Sequence, residues 1–136
     1  MYDIQRIGKI IAEIEKYMKE LDSYKITRES LKDSKNYNAS SMLIFVILNR
    51  LIDLGSEIIS AEELGAPNTY SDIMNILVKG NIINKNQSEK INKLISKRNM
   101  FAHFYGEMTE KEVFNTYSDL KEVPDFLKTI KKRVKI

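Results

Sequence analysis

The chain has 136 residues, with 22 Lys and Arg against 19 Asp and Glu, one histidine and no cysteine, for a formal net charge of +3. That length supports one self-sufficient hydrophobic core, and the lack of cysteine excludes thiol nucleophiles, Cys-based zinc sites and a disulfide framework, in keeping with a reducing cytosol. A lone histidine excludes His-rich metal sites, no apolar run reaches the roughly 18 residues of a membrane span, and the first residues do not show the basic, apolar and small-residue pattern expected of a signal peptide. A soluble cytoplasmic protein without metal or cofactor is expected, and the positive charge admits a nucleic-acid partner without requiring one.

Helical periodicity runs nearly throughout and no credible strand is present, which predicts an all-α, antiparallel helical bundle of about five to seven helices in a single domain over 1–136. Ile4, Ile7, Ile11, Ile14, Met18 and Leu21 recur three and four residues apart, predicting an amphipathic helix from near Asp3. Thr27 to Asp33 suits a short helix. A longer one is expected to begin around Asn38 to Ser41, whose side-chain oxygens can cap it. Its Met42–Ile47 run is apolar on every side, so it should be the most buried helix, with one face available for a subunit contact.

Gly65-Ala66-Pro67-Asn68 ends that helix, Thr69 or Ser71 can cap a shorter one to about Val78, and Gly80-Asn81 closes it. Asn84 to Ser88 opens the next, whose stripe of Ile91, Leu94, Ile95, Phe101 and Ala102 is expected to carry Arg98. Gly106 is a natural residue to follow a helix end, placing His103 in a last turn or at the start of a loop. Thr109-Glu110-Lys111-Glu112 is a capping box for another helix. Glu122-Val123-Pro124 breaks that one, and Pro124 suits the first turn of a final helix ending in Lys131, Lys132, Arg133 and Lys135.

The chemistry-bearing stretch is Arg98-Asn99-Met100-Phe101-Ala102-His103-Phe104-Tyr105, with the only histidine. Arg98 falls seven residues after Ile91 on the apolar stripe, so a charge stands where a core side chain is expected. Burying a guanidinium unpaired costs several kcal/mol, so Arg98 must face an anion, a wet cleft, a second subunit or a carboxylate such as Asp53. Histidine exchanges protons near neutral pH and arginine grips phosphate through a bidentate fork, and those two tasks suffice for RNA cleavage by a 2′-hydroxyl. The plainer alternative for His103 is a C-terminal helix residue facing the dipole; for Tyr105, a partly buried aromatic; for Asn99, a surface amide.

In one regular helix Arg98 and His103 stand about 140° apart and about 7.5 Å along the axis. Both remedies are expected together: the helix unwinds before His103, and a second copy of the chain completes the site. Lys90, Lys93 and Lys97 form a basic edge that can follow an RNA backbone or simply be solvated. Asn49, Asp53 and Glu57, four residues apart, make a polar stripe that can line a cleft or form ion pairs with Arg50 or Arg98.

Arg98-Asn99-x-x-x-His103-x-Tyr105 resembles the Arg-x4-His-x-Tyr motif of HepT-like toxins in the HEPN superfamily of helical ribonucleases. Leu51–Ile59 followed by Leu64-Gly65-Ala66-Pro67-Asn68-Thr69-Tyr70 resembles the family's long helix and its Gly-x-Pro-x-x-Tyr loop. Where relatives carry Glu-Arg and Gln earlier on that helix, this chain has Phe45-Val46 and Asn49. The resemblance implies an HEPN-type homodimer whose two motifs meet in a cleft, with metal-independent endoribonuclease activity on RNA. Carried over, His103 is the general acid or base, Arg98 the phosphate contact, and Asn99 and Asp53 supporting groups. It also implies a nucleotidyltransferase antitoxin that adds AMP to Tyr105. The alternative is a non-catalytic helical module that binds a nucleotide or the nucleotidyltransferase and presents Tyr105 to it.

Overall fold

A computed structural model describes residues 1–103 and 105–136, with the side chain of Tyr105 outside the description. The described residues form seven α-helices: α1 (Ile4–Ser23), α2 (Ser34–Ala61), α3 (Tyr70–Lys79), α4 (Lys85–Ile95), α5 (Arg98–His103), α6 (Glu110–Asp119) and α7 (Val123–Val134). Short 3₁₀ turns at Ser30–Lys32, Tyr105–Glu107 and Leu120–Glu122 connect them, and no strand occurs among the described residues. None of these helices is long and apolar enough to cross a membrane.

The organising element is α2, whose 28 residues extend about 42 Å at the usual helical rise. Helices α1, α3, α4, α5 and α6 all pack on it. Ile44, Ile47, Leu48, Leu51, Leu54 and Ile58 are fully shielded from solvent along its length. Against it α1 lays Ile7, Ile11 and Ile14, the stripe its sequence spacing predicts. From α7, Phe126 and Ile130 complete the same core.

Caps explain most helix starts. Asp3 accepts from the Arg6 N–H at 3.0 Å, and Asn84 from the Gln87 N–H at 2.8 Å. Capping boxes pair Thr69 with Asp72 and Thr109 with Glu112. The start of α2 differs from expectation: its cap is Asp33, which accepts from the N–H groups of Lys35 and Asn36, so the helix begins at Ser34. Residues 34–36 are exposed polar residues and carry no periodicity to announce a helix. Ser40 and Ser41, expected as caps, are buried inside α2, and neither hydroxyl has a hydrogen-bond partner among the described residues.

Two further boundaries move. The helix expected to carry Arg98 stops at Ile95. The Lys97 N–H bonds the Leu94 carbonyl three residues back at 3.0 Å, and a new helix starts at Arg98. Ser96 stays right-handed through this tightening, so the apolar spacing continues across a break it does not reveal. Gly106 lies inside a 3₁₀ turn and does not take the left-handed conformation of a helix-ending glycine; Gly65 is the glycine that does.

The ends of the chain are tied to α2 at Glu62. Its carboxylate accepts from Arg133 Nε and Nη2 at 3.0 and 2.7 Å and from the Tyr2 hydroxyl. The Arg133 hydrogen bonds hold the Glu62 carboxyl below its ordinary pKa.

Helices α2 and α3 meet at Gly55, where an added Cβ would stand 2.4 Å from Ile73 Cγ2 and 3.3 Å from Met74 Cε. Glycine inside a helix costs up to about 1 kcal/mol against alanine, whereas overpacking a core costs about 1–3 kcal/mol. The clash wins. Gly55→Ala should lower stability to urea by about 1 kcal/mol, while Gly8→Ala in α1, which meets nothing within 4 Å, should raise it by about 0.5–1 kcal/mol at equal protein concentration.

Candidate active site around Arg98 and His103

The break after Ile95 makes Arg98 the first residue of a six-residue helix and His103 its last. Phe101, between them, is 2% exposed and anchors α5 against α2. Arg98 is half-buried and His103 is exposed in the last turn. The helix does not unwind before His103, so the two side chains leave α5 in directions about 140° apart.

Arg98 is held by neutral groups. Its Nε donates to Asn49 Oδ1 of α2 at 2.9 Å and its Nη1 to Asn99 Oδ1 at 3.1 Å. The guanidinium carbon lies 5.3 Å from the centre of the Phe45 ring and 5.5 Å from that of Tyr70, within cation–π range of both. Among the described residues no carboxylate comes within ion-pair distance of it. Amide oxygens and aromatic faces orient the cation and satisfy part of its hydrogen-bonding capacity while leaving its charge intact.

The polar stripe on α2 divides. Asn49 meets Arg98, Asp53 pairs with Arg50 Nη2 at 3.0 Å, and Glu57 pairs with Arg6 at 3.2 Å. Asp53 is therefore engaged by the arginine one turn back on its own helix, whereas Asn99 stands against the guanidinium. Lys90 and Lys93 reach Glu122 and Asp119 at 3.1 and 3.3 Å, ion pairs that tie α4 to the α6–α7 junction. Lys97 is half-buried and its charge acts on Glu112. The backbone of Tyr105 lies in the 3₁₀ turn two residues past His103; its side chain is outside the described residues, as is Phe104.

Phe45, Asn49 and Tyr70 are the contacts that reading along the motif does not supply, because they come from α2 and α3. Their signals were present: Phe45 and Asn49 are one helical turn apart at positions where the family pattern departs, and Tyr70 ends the Gly-x-Pro-x-x-Tyr loop. Each ring also borders a cavity. On the Tyr70 side one of about 450 Å³ lies against Ser56, Pro67, Asn68 and Thr69. On the Phe45 side one of about 240 Å³ lies between α2 and α5.

A family profile described as Ribonuclease HepT-like matches residues 8–132. The chain belongs to the HepT-like ribonuclease family. Solved structures share its fold. The cytosolic protein of unknown function YutE from Bacillus subtilis is 22% identical, with a TM-score of 0.86 over 98% of this chain and 93% of that one. A tri-AMPylated Shewanella oneidensis HEPN toxin in complex with MNT antitoxin is 24% identical, with a TM-score of 0.84 over 97% and 99%. A toxin-antitoxin structure with AMP-PNP is 22% identical, with a TM-score of 0.85 over 93% and 97%. Comparison with curated proteins finds no match.

The neutral character of the Arg98 support in this HepT-like protein is testable by changing one atom type. The Arg98 charge already assists its bond to the Asn49 amide, and Asn49→Asp turns that bond into a partly exposed ion pair, which adds about 0.2–1 kcal/mol. Asn49→Asp should raise stability to urea by about 0.2–1 kcal/mol, and Asn49→Ala should lower it by about 1.5–3 kcal/mol. A carboxylate already neutralising Arg98 in solution would make both variants destabilising.

Proposed function

We propose that this protein is a metal-independent endoribonuclease toxin that acts as a homodimer and is silenced by a nucleotidyltransferase antitoxin that adds AMP to Tyr105. The observation that carries the reading is the Arg98 guanidinium, oriented by Asn49 and Asn99 without a carboxylate among the described residues, on the same short helix as the exposed His103. A fixed, uncompensated cation suits a phosphodiester whose charge grows as it reacts.

In the proposed reaction the 2′-oxygen of RNA attacks the adjacent phosphorus, and the bond from phosphorus to the 5′-oxygen breaks. An imidazole either takes the 2′-hydroxyl proton while water protonates the departing 5′-oxygen, or protonates that oxygen while water takes the 2′-hydroxyl proton, and Arg98 holds the non-bridging oxygens. The products are a 2′,3′-cyclic phosphate and a 5′-hydroxyl. Because Arg98 and His103 leave opposite ends of α5 in different directions, the reading brings the His103 of a second copy to the Arg98 of the first across a two-fold axis.

Control follows from position. Tyr105 is two residues from His103, so an AMP ester on its hydroxyl would add bulk and a phosphate beside the catalytic groups and compete for the place of the RNA phosphate. The AMP-carrying state and the MNT antitoxin of the Shewanella relative support this part of the reading. Asn99 steadies Arg98 in this scheme and Asp53 acts only through the Arg50 pair. Lys90, Lys93 and Lys97 add long-range attraction for RNA.

Purified wild type and His103→Ala, incubated in chelator with end-labelled structured RNA, provide the test. Wild type should leave 2′,3′-cyclic phosphate ends, and His103→Ala should be slower by about 10²–10⁴-fold while remaining a folded dimer. Arg98→Ala should lose about 10²–10³-fold, and Tyr105→Phe should cut RNA yet take no AMP from the antitoxin. A folded, dimeric wild type that leaves RNA intact would favour the non-catalytic module presenting Tyr105.

A further inference from the structure

Tyr70 is 42% exposed, whereas Tyr2, Tyr17, Tyr24, Tyr37 and Tyr117 are partly buried against the core. Four of those five also send their hydroxyls to fixed acceptors: Glu62, Glu20, the Met108 carbonyl and Asp22. The Tyr70 hydroxyl makes no hydrogen bond with the described residues. Neither burial in the core nor a polar handle therefore accounts for so large a ring at this place. What it does meet is Arg98, whose guanidinium carbon lies over the ring, 5.5 Å from its centre.

The ring is pinned by its own stretch of chain. Tyr70 is the first residue of α3, and just before it the Asp72 carboxylate accepts from the N–H groups of Asn68 and Thr69 at 2.9 and 3.0 Å. Two consecutive amides on one carboxylate fix how the chain enters the helix, and with it the direction in which the Tyr70 side chain leaves the backbone.

Arg98 needs a wall on that side. A guanidinium has five N–H donors, of which Asn49 takes the one on Nε and Asn99 one on Nη1, so three are left without an acceptor among the described residues. Asn49 and Phe45 hold the group from α2 and Asn99 from α5; Tyr70 is what α3 supplies. Tyr70 also borders the cavity of about 450 Å³. Removing its ring would join that space to the guanidinium, and a long side chain with room beside it samples other rotamers. Phe45 differs, because it is partly buried against the core and that packing already explains it.

We propose that Tyr70 is a positioning residue whose ring face holds the Arg98 guanidinium against Asn49 and Phe45, so that its free donors meet the reacting phosphate at one place. The inference rests on the ribonuclease reading and adds to it a group on another helix that sets how well Arg98 performs. A contact that matters most in the transition state tolerates little misplacement, so loss of the ring should appear in kcat more than in KM.

The test reads Arg98 itself as well as the reaction. ¹⁵N relaxation of the Arg98 Nε–H, identified by its loss in Arg98→Lys, measures how firmly the guanidinium is held in the intact protein. Wild type and Tyr70→Phe should be as ordered as rigid backbone, with an order parameter of about 0.85, and Tyr70→Leu and Tyr70→Ala should fall below about 0.6. On structured RNA in chelator those two variants should lower kcat by about tenfold or more with KM within about twofold, while Tyr70→Phe cuts like wild type. Their melting temperatures should move by only about 2–4 °C, since the ring is exposed.

An Arg98 Nε–H that stays ordered in Tyr70→Leu and Tyr70→Ala overturns the proposal, whatever the rates do. So does a Tyr70→Phe as slow as Tyr70→Leu, because the hydroxyl and not the ring face would then be the working group. A change confined to dimer dissociation overturns it too, by making Tyr70 a contact between copies. Failure of the ribonuclease reading looks different: RNA survives the wild type intact, while the Arg98 Nε–H still loosens when the ring is removed.

Discussion

A hydrogen bond of 2.9 Å from Arg98 Nε to the amide oxygen of Asn49 joins the short helix α5 to the long helix α2 and aims a cation without cancelling it. A carboxylate at that place would bind the guanidinium more strongly and would also spend its charge on the protein itself. The surrounding structure serves this contact. Phe101 pins α5 to the core, Phe45 and Tyr70 offer their ring faces to the guanidinium, and the nearest acids on α2 are taken by other arginines. Asp53 goes to Arg50 and Glu57 to Arg6, so the stripe that looked in sequence like a row of partners for Arg98 gives it only the neutral member.

Caps and periodic stripes made the fold largely legible. Asp3, Thr69, Asn84 and Thr109 start the helices that their spacing predicts, because each cap and its partner lie within a few residues and need no tertiary information. Sequence pattern and structure differ where local signal and tertiary demand part. Ser34 to Asn36 are helical through the Asp33 cap although their side chains face water, and the turn at Ser96 and Lys97 preserves the apolar spacing while ending α4. Arg98 therefore does not continue the Ile91 stripe within one helix. It begins a new helix, which explains how a charged residue can occupy an apparently apolar position.

Along the chain the motif shows the reacting groups but not their supports. Asn99 is adjacent in sequence and was legible as a helper; Asn49 is 49 residues away and Tyr70 is 28 residues away, and only the packing of α2, α3 and α5 brings them to the guanidinium. The same packing forms the cavities beside Phe45 and Tyr70, which no spacing rule describes. The basic edge of α4 is another case: Lys90 and Lys93 share the helix face that the sequence suggests, yet they meet Glu122 and Asp119. Exposed pairs of this kind are worth at most about 1 kcal/mol, so they moderate the positive field without abolishing it.

Regular helix over the six residues of α5 sends Arg98 and His103 in different directions, so the proposed ribonuclease needs two copies of the chain. Co-expressing Arg98→Ala and His103→Ala protomers under different tags, and isolating the mixed dimer, tests this directly. A site built from Arg98 of one protomer and His103 of its partner leaves one intact site in the mixed dimer, which should recover about half of the wild-type cleavage rate although both parent homodimers are inactive. A mixed dimer as inactive as its parents would contradict the shared site.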